Sequence, residues 1–241
     1  MSRQSTVKVS SANNATCHTV DAARSEDDRR TGEETRLWQN SKRKCFQAKE
    51  VIYRESAGVD RICIIRSGLV KLLSYLPNGR ARIVRLHARN QWLGLEGLLG
   101  EPYEHTAIAV DDVVVEYLST HSVQHLVMDA PGRLLQLLHQ WHVDLAQADK
   151  WISEFSTGGI RPRVARLLQF LAELEYGCPT DRVELLTVSE MAEILGVTPE
   201  SVSRIVATFK RRDILQKQPE SDSLREIYWL DTPRLHQEAL G

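Results

Sequence analysis

Residues 198–212, TPESVSRIVATFKRR, combine an apolar stripe with charged and hydroxyl side chains at helical spacing. An arginine such as Arg204 donates two hydrogen bonds to guanine, the carboxylate of Glu200 accepts one from cytosine N4, and the hydroxyl of Ser203 suits either kind of base edge. The basic run 210–212 provides side chains that contact phosphates without reading sequence. This pattern predicts a helix that reads base edges in DNA.

Residues 186–214 predict a helix-turn-helix motif that would hold those side chains in place. The first helix opens on Thr187 with a glutamate three residues later, a capping box that satisfies two backbone N–H groups. Gly196 ends it, because glycine adopts the left-handed conformation of a helix exit. Thr198 and Pro199 start the second helix, whose N-terminal half enters the major groove. The predicted DNA-binding residues are Thr187, Thr198, Glu200, Ser201, Ser203, Arg204, Lys210 and Arg211. The alternative is an ordinary helical hairpin whose charged face is only solvated.

The composition of the 241-residue chain narrows the class of protein. A hydrophobic content of 42% is enough for packed cores, and the length suggests one or two domains. The formal net charge of −1 argues against a generally basic coat, so DNA binding is expected from a local patch. The sequence has no N-terminal apolar segment and no apolar run of bilayer length, which predicts a cytoplasmic protein without membrane contact. It has no phosphate loop or nucleophile elbow, so an enzyme is not expected.

The four cysteines, Cys17, Cys45, Cys63 and Cys178, are scattered along the chain. None of them has a close ligand spacing, so neither a metal site nor a disulfide framework is predicted, and isolated thiols of a reducing compartment are expected. Cys178, beside Pro179 in a loop before the helix-turn-helix, is a candidate for redox control, since oxidation of an exposed thiol there would alter DNA affinity.

Two kinds of segment precede these helices. Residues 1–36 are polar and poor in aromatic side chains, and such a segment cannot bury enough apolar surface to fold, so a disordered tail is predicted. From residue 37 the pattern changes to short strands joined by turns such as Pro77-Asn78-Gly79, which indicates an antiparallel barrel or sandwich. The predicted strands are 49–54, 61–65, 69–75, 82–86, 105–110 and 113–118.

Residues 131–157 predict a long helix with a narrow apolar seam. Its apolar residues recur at alternating steps of four and three, the heptad spacing of a coiled coil: Leu134, Leu138, Trp141, Leu145, Ala148, Ile152 and Phe155. So narrow a stripe favours a partner helix, and we predict a parallel homodimer, with Leu135, Leu137 and Trp151 facing the strands. The alternative is a helix that packs only on its own domain. Gly158-Gly159 would form a hinge before a further amphipathic helix.

The strand segment has the spacing of a known sensor domain. The run Asp60-x-Ile62-x-Ile64-Ile65-x-Ser67-Gly68-x-Val70-Lys71-Leu72, then Asn78-Gly79-Arg80 and Gly94, resembles the β-roll of cyclic-nucleotide-binding domains. With the helix-turn-helix behind it, residues 37–235 resemble the CRP/FNR superfamily of bacterial transcription regulators. The resemblance implies an α+β fold with a sensor β-roll (37–128), a dimerisation helix (129–158) and a winged helix-turn-helix (159–241). It also implies a homodimer that binds a palindrome in double-stranded DNA, with RNA polymerase as a partner.

The effector segment departs from the family members that bind cyclic AMP. In those members a glutamate after the first glycine holds the ribose, and an arginine further on holds the phosphate. Here Leu95 and His105 stand at these places, and Glu96 comes one position late, where an extended segment would point it to the opposite side. Cyclic AMP is therefore not expected. An effector pocket, if one exists, is predicted at Gly94, Leu95, Glu96, Gly97, His105 and Thr106.

The Gly-Leu-Glu variant is similar to the FNR-like branch, which answers oxygen, nitric oxide or redox state. The clustered cysteines that hold an iron–sulfur cluster in its oxygen-sensing members are absent, and no cofactor is evident. A haem, a small effector and a protein without any ligand all stay open. In this branch the glutamate, serine and arginine of the recognition helix read TTGA-type half-sites. The resemblance therefore implies an inverted repeat of such half-sites, centred about one helical turn apart.

Overall fold

The computed structural model describes residues 41–129, 131–176, 180–219 and 224–241. The predicted tail and the candidate redox residue Cys178 lie outside the described residues. Eight strands come first: β1 (Lys42–Phe46), β2 (Val51–Tyr53), β3 (Arg61–Ser67), β4 (Val70–Tyr75), β5 (Ala81–His87), β6 (Trp92–Leu93), β7 (Thr106–Ala109) and β8 (Val113–Ser119). They form two antiparallel sheets, in the orders β1-β8-β3-β6 and β2-β7-β4-β5. The predicted antiparallel β-roll and the α+β class are confirmed.

The two sheets enclose an apolar core because alternate residues of each strand point inward. Ile65 of β3, Val70 of β4 and Val115 of β8 are fully buried there. The alternation breaks in β5, where the pairing with β4 shifts between Leu72 and Leu73. A β-bulge of this kind inserts one residue and turns the following side chains to the other face.

A short 3-10 helix at Leu95–Leu99 follows β6. The prediction of an extended segment at this place is wrong. Gly94 begins it with a φ of 79°, and a Cβ atom there would lie 2.9 Å from the ring of Tyr103. Only glycine satisfies both conditions, so Gly94 fixes the turn that aims the next residues.

Three helices lead from the roll to the C-terminal domain. They are α1 (Thr120–Asp129), which the sequence did not predict, α2 (Pro131–Phe155) and α3 (Ile160–Tyr176). The long helix α2 is the one predicted at 131–157. The non-helical residues 156–159 separate it from α3, and Gly158 takes a φ of 84° there.

The C-terminal domain is a winged helix-turn-helix. It contains β9 (Arg182–Glu184), α4 (Val188–Leu195), α5 (Pro199–Arg211), β10 (Leu215–Lys217), β11 (Ile227–Leu230) and α6 (Thr232–Leu240). The hairpin of β10 and β11 forms the predicted wing, and β9 adds a third strand on the β11 side. The sequence predicted neither β9 nor α6.

The β-roll and the C-terminal domain share one continuous apolar core. Leu73, Ile83 and Leu86 of the roll belong to the same buried cluster as Ile194 and Leu195 of α4. Polar contacts surround this interdomain contact. Lys71 Nζ lies 2.7 Å from Glu190 Oε1, and Arg225 Nη2 lies 2.9 Å from Asp111 Oδ2. The helix-turn-helix is therefore packed against the roll.

Candidate nucleic-acid interface

Helix α5 has one buried face and one open face. Val202, Val206 and Phe209 are buried against the domain core. Glu200, Ser203 and Arg204 are exposed on the first two turns. The fold therefore presents a carboxylate, a hydroxyl and a guanidinium together at the N-terminal half of the helix, the part that reaches base edges in this motif.

The two threonines predicted at the interface cap the helices. Thr187 Oγ1 accepts a hydrogen bond from Glu190 N at 3.2 Å, and Glu190 Oε2 accepts one from Thr187 N at 3.0 Å, which completes the predicted capping box. Thr198 Oγ1 accepts from Ser201 N at 3.4 Å and lies 3.1 Å from Ser201 Oγ. Thr187 and Thr198 thus position α4 and α5, and half-buried Ser201 is held against its cap.

The basic residues at the end of α5 are already engaged within the chain. Lys210 Nζ donates to the hydroxyl of Tyr228 at 2.6 Å, and Arg211 Nη2 donates to Thr208 Oγ1 at 3.2 Å. The Tyr228 hydroxyl in turn donates to Glu226 Oε2 at 2.8 Å. Sequence reasoning missed Tyr228 and Glu226 because nothing in the wing segment shows that its residues return to the C-terminus of α5.

A surface groove of about 330 Å³ runs between the start of α3 and the exposed side of α5. It is lined by Ile160, Arg161, Ser201, Arg204, Ile205 and Thr208. Arg161 was not predicted as an interface residue. One feature of the sequence indicated such a role, the basic pair Arg161 and Arg163 around Pro162 shortly after the two glycines.

Helix α2 leaves an apolar face uncovered, and it is narrower than predicted. Leu138, Leu145 and Ile152, spaced seven residues apart, are 47–63% exposed. Trp141 and Ala148 are half-buried, and Trp141 packs on the roll beside Leu137. The side chain of Leu134 lies outside the described residues.

Two assignments on α2 were wrong. Phe155 is 1% exposed, because its ring packs against Trp151 and Phe170 at centroid distances of 5.0 and 5.5 Å, so it belongs to the core of its own chain. Leu135, expected to face the strands, is 68% exposed and extends the apolar face instead.

The predicted effector residues surround a cavity of only about 60 Å³. Gly94, Leu95, Glu96 and His105 line it, together with Trp141 from α2. Both Leu95 and Glu96 reach it because the segment is a 3-10 helix, so the expected divergence of these side chains does not occur. Two predicted residues have structural roles instead. A Cβ atom on Gly97 would lie 2.3 Å from Val59, and Thr106 Oγ1 accepts a hydrogen bond from Glu55 N at 3.1 Å.

Four charged or titratable residues of this cavity were not predicted from the sequence: Arg85, His87, Glu104 and Asp144. The bulge in β5 turns Arg85 and His87 into the cavity, and a regular alternation would not have indicated it. Burial, with smaller contributions from Arg85 and His105, lowers the pKa of His87 to about 3. Neither ring nitrogen of His87 has a hydrogen-bond partner in the described part of the chain. His87 is therefore a neutral imidazole.

The cavity is small, and its lining carries more carboxylates than guanidinium groups. Small-molecule pockets usually measure about 300–1,000 Å³, several times its size. Among the described residues, Arg85 is the one guanidinium in its lining, and the carboxylates of Glu96, Glu104 and Asp144 lie in the same lining. A bound phosphate would meet more negative than positive groups.

Within the described ranges, no three His, Cys, Asp or Glu side chains come together as a metal ion would require. None of the described helices is both long enough and apolar enough to span a membrane.

Comparison with known proteins identifies both halves of the chain. Residues 43–130 match the family described as cyclic nucleotide-binding domain, and residues 162–238 match the Crp-like helix-turn-helix domain. The chain belongs to the CRP/FNR family. The sequence resemblance is thereby confirmed, and the exposed residues of α5 belong to the DNA-binding element of a transcription regulator.

Members of the CRP/FNR family from several bacteria align along most of this chain. The transcriptional regulator LdrP of Thermus thermophilus is 28% identical over 198 residues, which cover 81% of this chain and 96% of LdrP. The crystal structure of TTHB099, a CRP-family transcriptional regulator also from Thermus thermophilus, is 27% identical, with a TM-score of 0.63 over 82% of this chain and 97% of its own. FixK2 from Bradyrhizobium japonicum shares the fold, with a TM-score of 0.71 and 21% identity over 82% of this chain and 96% of its own.

Proposed function

We propose that this CRP/FNR regulator acts as a homodimer that binds an inverted repeat of TTGA-type half-sites through α5, without cyclic AMP. The observation that carries the proposal is the exposed set Glu200, Ser203 and Arg204 on the N-terminal half of α5. Arginine pairs with guanine and glutamate accepts from cytosine, so this set suits the G·C pair of a TTGA half-site.

The uncovered apolar face of α2 supports the homodimer. Leu135, Leu138, Leu145 and Ile152 are exposed in the single chain, and contiguous apolar surface of this kind marks an interface. Two copies of α2 packed along this face would form a two-stranded coiled coil. The two α5 helices of such a dimer would then meet half-sites about one helical turn apart.

Independence from cyclic AMP is supported by the sensor cavity. Leu95 is buried where the family's glutamate holds the ribose, and Trp141 of α2 takes part of the space. We infer that signals arising from oxygen, nitric oxide or redox state act on this protein, an inference that rests on its FNR-like motifs. RNA polymerase is the proposed partner on the promoter.

A small polar effector is the second candidate, and His87 is the observation that favours it. A fully buried imidazole with two unsatisfied nitrogens loses free energy that a hydrogen-bonding ligand would restore. A haem is the alternative effector. The visible absorption spectrum of the purified protein separates the two, because a bound haem absorbs strongly and a small effector does not.

A gel-shift titration tests the main proposal. Purified protein is titrated onto a TTGA palindrome and onto the same duplex with both half-sites scrambled, with and without cyclic AMP, and under reducing and oxidising conditions. We expect selective binding of the palindrome at equal affinity with and without cyclic AMP. Binding that requires cyclic AMP would overturn effector independence, and equal binding to both duplexes would overturn the half-site assignment.

A further inference from the structure

Two lysines beside the recognition helix share one carboxylate. Lys217 Nζ of the wing lies 2.5 Å from Glu226 Oε1, and Lys210 Nζ at the end of α5 lies 4.0 Å from Glu226 Oε2. The Tyr228 hydroxyl joins the pair, since it accepts from Lys210 and donates to Glu226. Hydrogen bonds from Lys217 and then Tyr228 lower the pKa of Glu226, so this carboxylate is charged at neutral pH.

A second carboxylate beside α5 is also shared by two basic residues. Glu238 of α6 pairs with Arg161 at 2.5 Å and with Arg212, the residue that caps the C-terminus of α5. Arg161 also lines the groove that Arg204 and Ser201 share. The side chain of Glu238 is only 13% exposed, so it is held in this position.

These ion pairs bear on the sequence-independent part of DNA binding. Lysine and arginine contacts to phosphates supply most of the affinity for non-specific DNA, and each neutralised phosphate adds to the salt dependence. An exposed ion pair contributes little to stability, so its lysine is free to turn to a phosphate. The carboxylate stays behind, however, and repels the same phosphate.

We propose that Glu226 and Glu238 are specificity-determining residues, which weaken the binding of non-specific DNA by neutralising four cations beside α5. Random DNA is bound through phosphate contacts alone, whereas base contacts by Arg204 and its neighbours hold the operator and leave it less dependent on these cations, so the carboxylates reduce the affinity for random DNA by the larger factor. This inference rests on the proposed reading of DNA by α5.

The test replaces Glu226 by glutamine, which keeps the shape and the hydrogen-bonding capacity of the side chain. Affinities for the TTGA palindrome and for its scrambled version are measured between about 50 and 200 mM salt. For E226Q we expect roughly 5–10-fold tighter binding of scrambled DNA and a slope of log K against log salt that is steeper by about 0.9 per released lysine. Preference for the palindrome falls accordingly.

The matched control is Glu101→Gln, which makes the same change in net charge at an exposed carboxylate of the β-roll. It should leave both affinities within about twofold of the wild type, because Glu101 lies in the β-roll and outside the DNA-binding domain, and exposed charges are screened by salt. Glu238→Gln is the second variant, and its thermal unfolding is measured first because Glu238 is mostly buried.

Unchanged or weaker binding of scrambled DNA by E226Q would overturn the proposal and make Glu226 a residue that positions Lys210 and Lys217. The proposed operator is tested separately by the wild type. If the wild type does not prefer the palindrome, the half-site assignment fails, while the comparison of E226Q with the wild type on scrambled DNA still decides the role of Glu226.

Discussion

At the scale of the residue, Arg204 is the side chain expected to distinguish one base pair from another. It is exposed on α5, and its guanidinium matches the two acceptors of guanine. Arg204→Ala should weaken binding by about 1–3 kcal/mol at one base pair and relax the preference there. Competition binding against operators substituted at each position measures this. Arg211→Ala is the control, with a nearly uniform loss on all sequences. A uniform loss for Arg204→Ala would show that it contacts phosphate.

His87 gives a second prediction at this scale, for stability against pH. Its pKa is about 3 in the folded protein and about 6.5 in an unfolded chain, so between these values only the unfolded state takes up the proton. The free energy of unfolding therefore falls as the pH drops below about 6.5. Between pH 7 and about pH 5 the wild type should lose about 2 kcal/mol more than His87→Leu, as measured by urea unfolding. The exposed His236→Leu should behave like the wild type; the same behaviour in His87→Leu would refute the prediction.

The residues of α5 and those of the cavity differ in how far the sequence predicts them. A helix of known register fixes which side chains share a face, so Glu200, Ser203 and Arg204 follow from a period of 3.6 residues. Arg85 and His87 follow from no period, because a single inserted residue in β5 reverses the face of everything after it. Partners such as Tyr228 for Lys210 depend on tertiary contacts, which a single sequence does not contain.

At the scale of the element, α2 was predicted correctly as a helix, but the width of its free face was not. A heptad pattern does not show which of its apolar residues are covered by the rest of the chain. Here the roll covers Trp141 at one edge of the apolar stripe, and Phe155 is buried against α3. Several short strands were not predicted, for a different reason. Strands β1, β6 and β9 have only two to five residues each, too few to show an alternation that differs from chance.

The exposed face of α2 predicts the effect of a charge placed on it. Leu145→Arg should produce a monomer, because two arginines facing each other across a coiled coil lose the apolar contact and repel. Light scattering coupled to gel filtration measures the mass. Palindrome affinity should fall roughly 100-fold, since the two half-sites are no longer bound by one linked unit. Val143→Arg is the matched control, because Val143 is exposed nearly opposite Leu145 on the helix. A monomer in both variants, or in neither, would contradict this interface.

At the scale of the whole molecule, the β-roll fixes the orientation of the helix-turn-helix. Lys71 and Glu190 are 14% and 12% exposed, and Arg82 Nη2 donates to the carbonyl of Ile194 at 3.3 Å, close to the turn at Gly196. Burial raises the pKa of Glu190, but hydrogen bonds from Lys71 and Thr187 lower this pKa by more than burial raises it. The carboxylate is therefore charged in this contact. Residues 156–159 would otherwise let the domain turn. The docked arrangement leaves α5 exposed, so it is compatible with DNA binding.

Loosening this contact should therefore change how strongly the affinity of the proposed dimer depends on the spacing between half-sites. Lys71→Met keeps the apolar stem but leaves Glu190 without its cation, and Glu190→Gln keeps the capping box while removing the charge. Affinities are measured on palindromes whose spacer is lengthened by about two and four base pairs. The wild type should bind the altered spacers much more weakly, and Lys71→Met should bind all of them more evenly, because a freely turning domain tolerates several spacings.

Urea unfolding of both single variants and the double variant should give a coupling energy of about 0.5–3 kcal/mol between the two residues. An unchanged spacing preference, with that coupling present, would mean that the contact stabilises the fold without orienting α5.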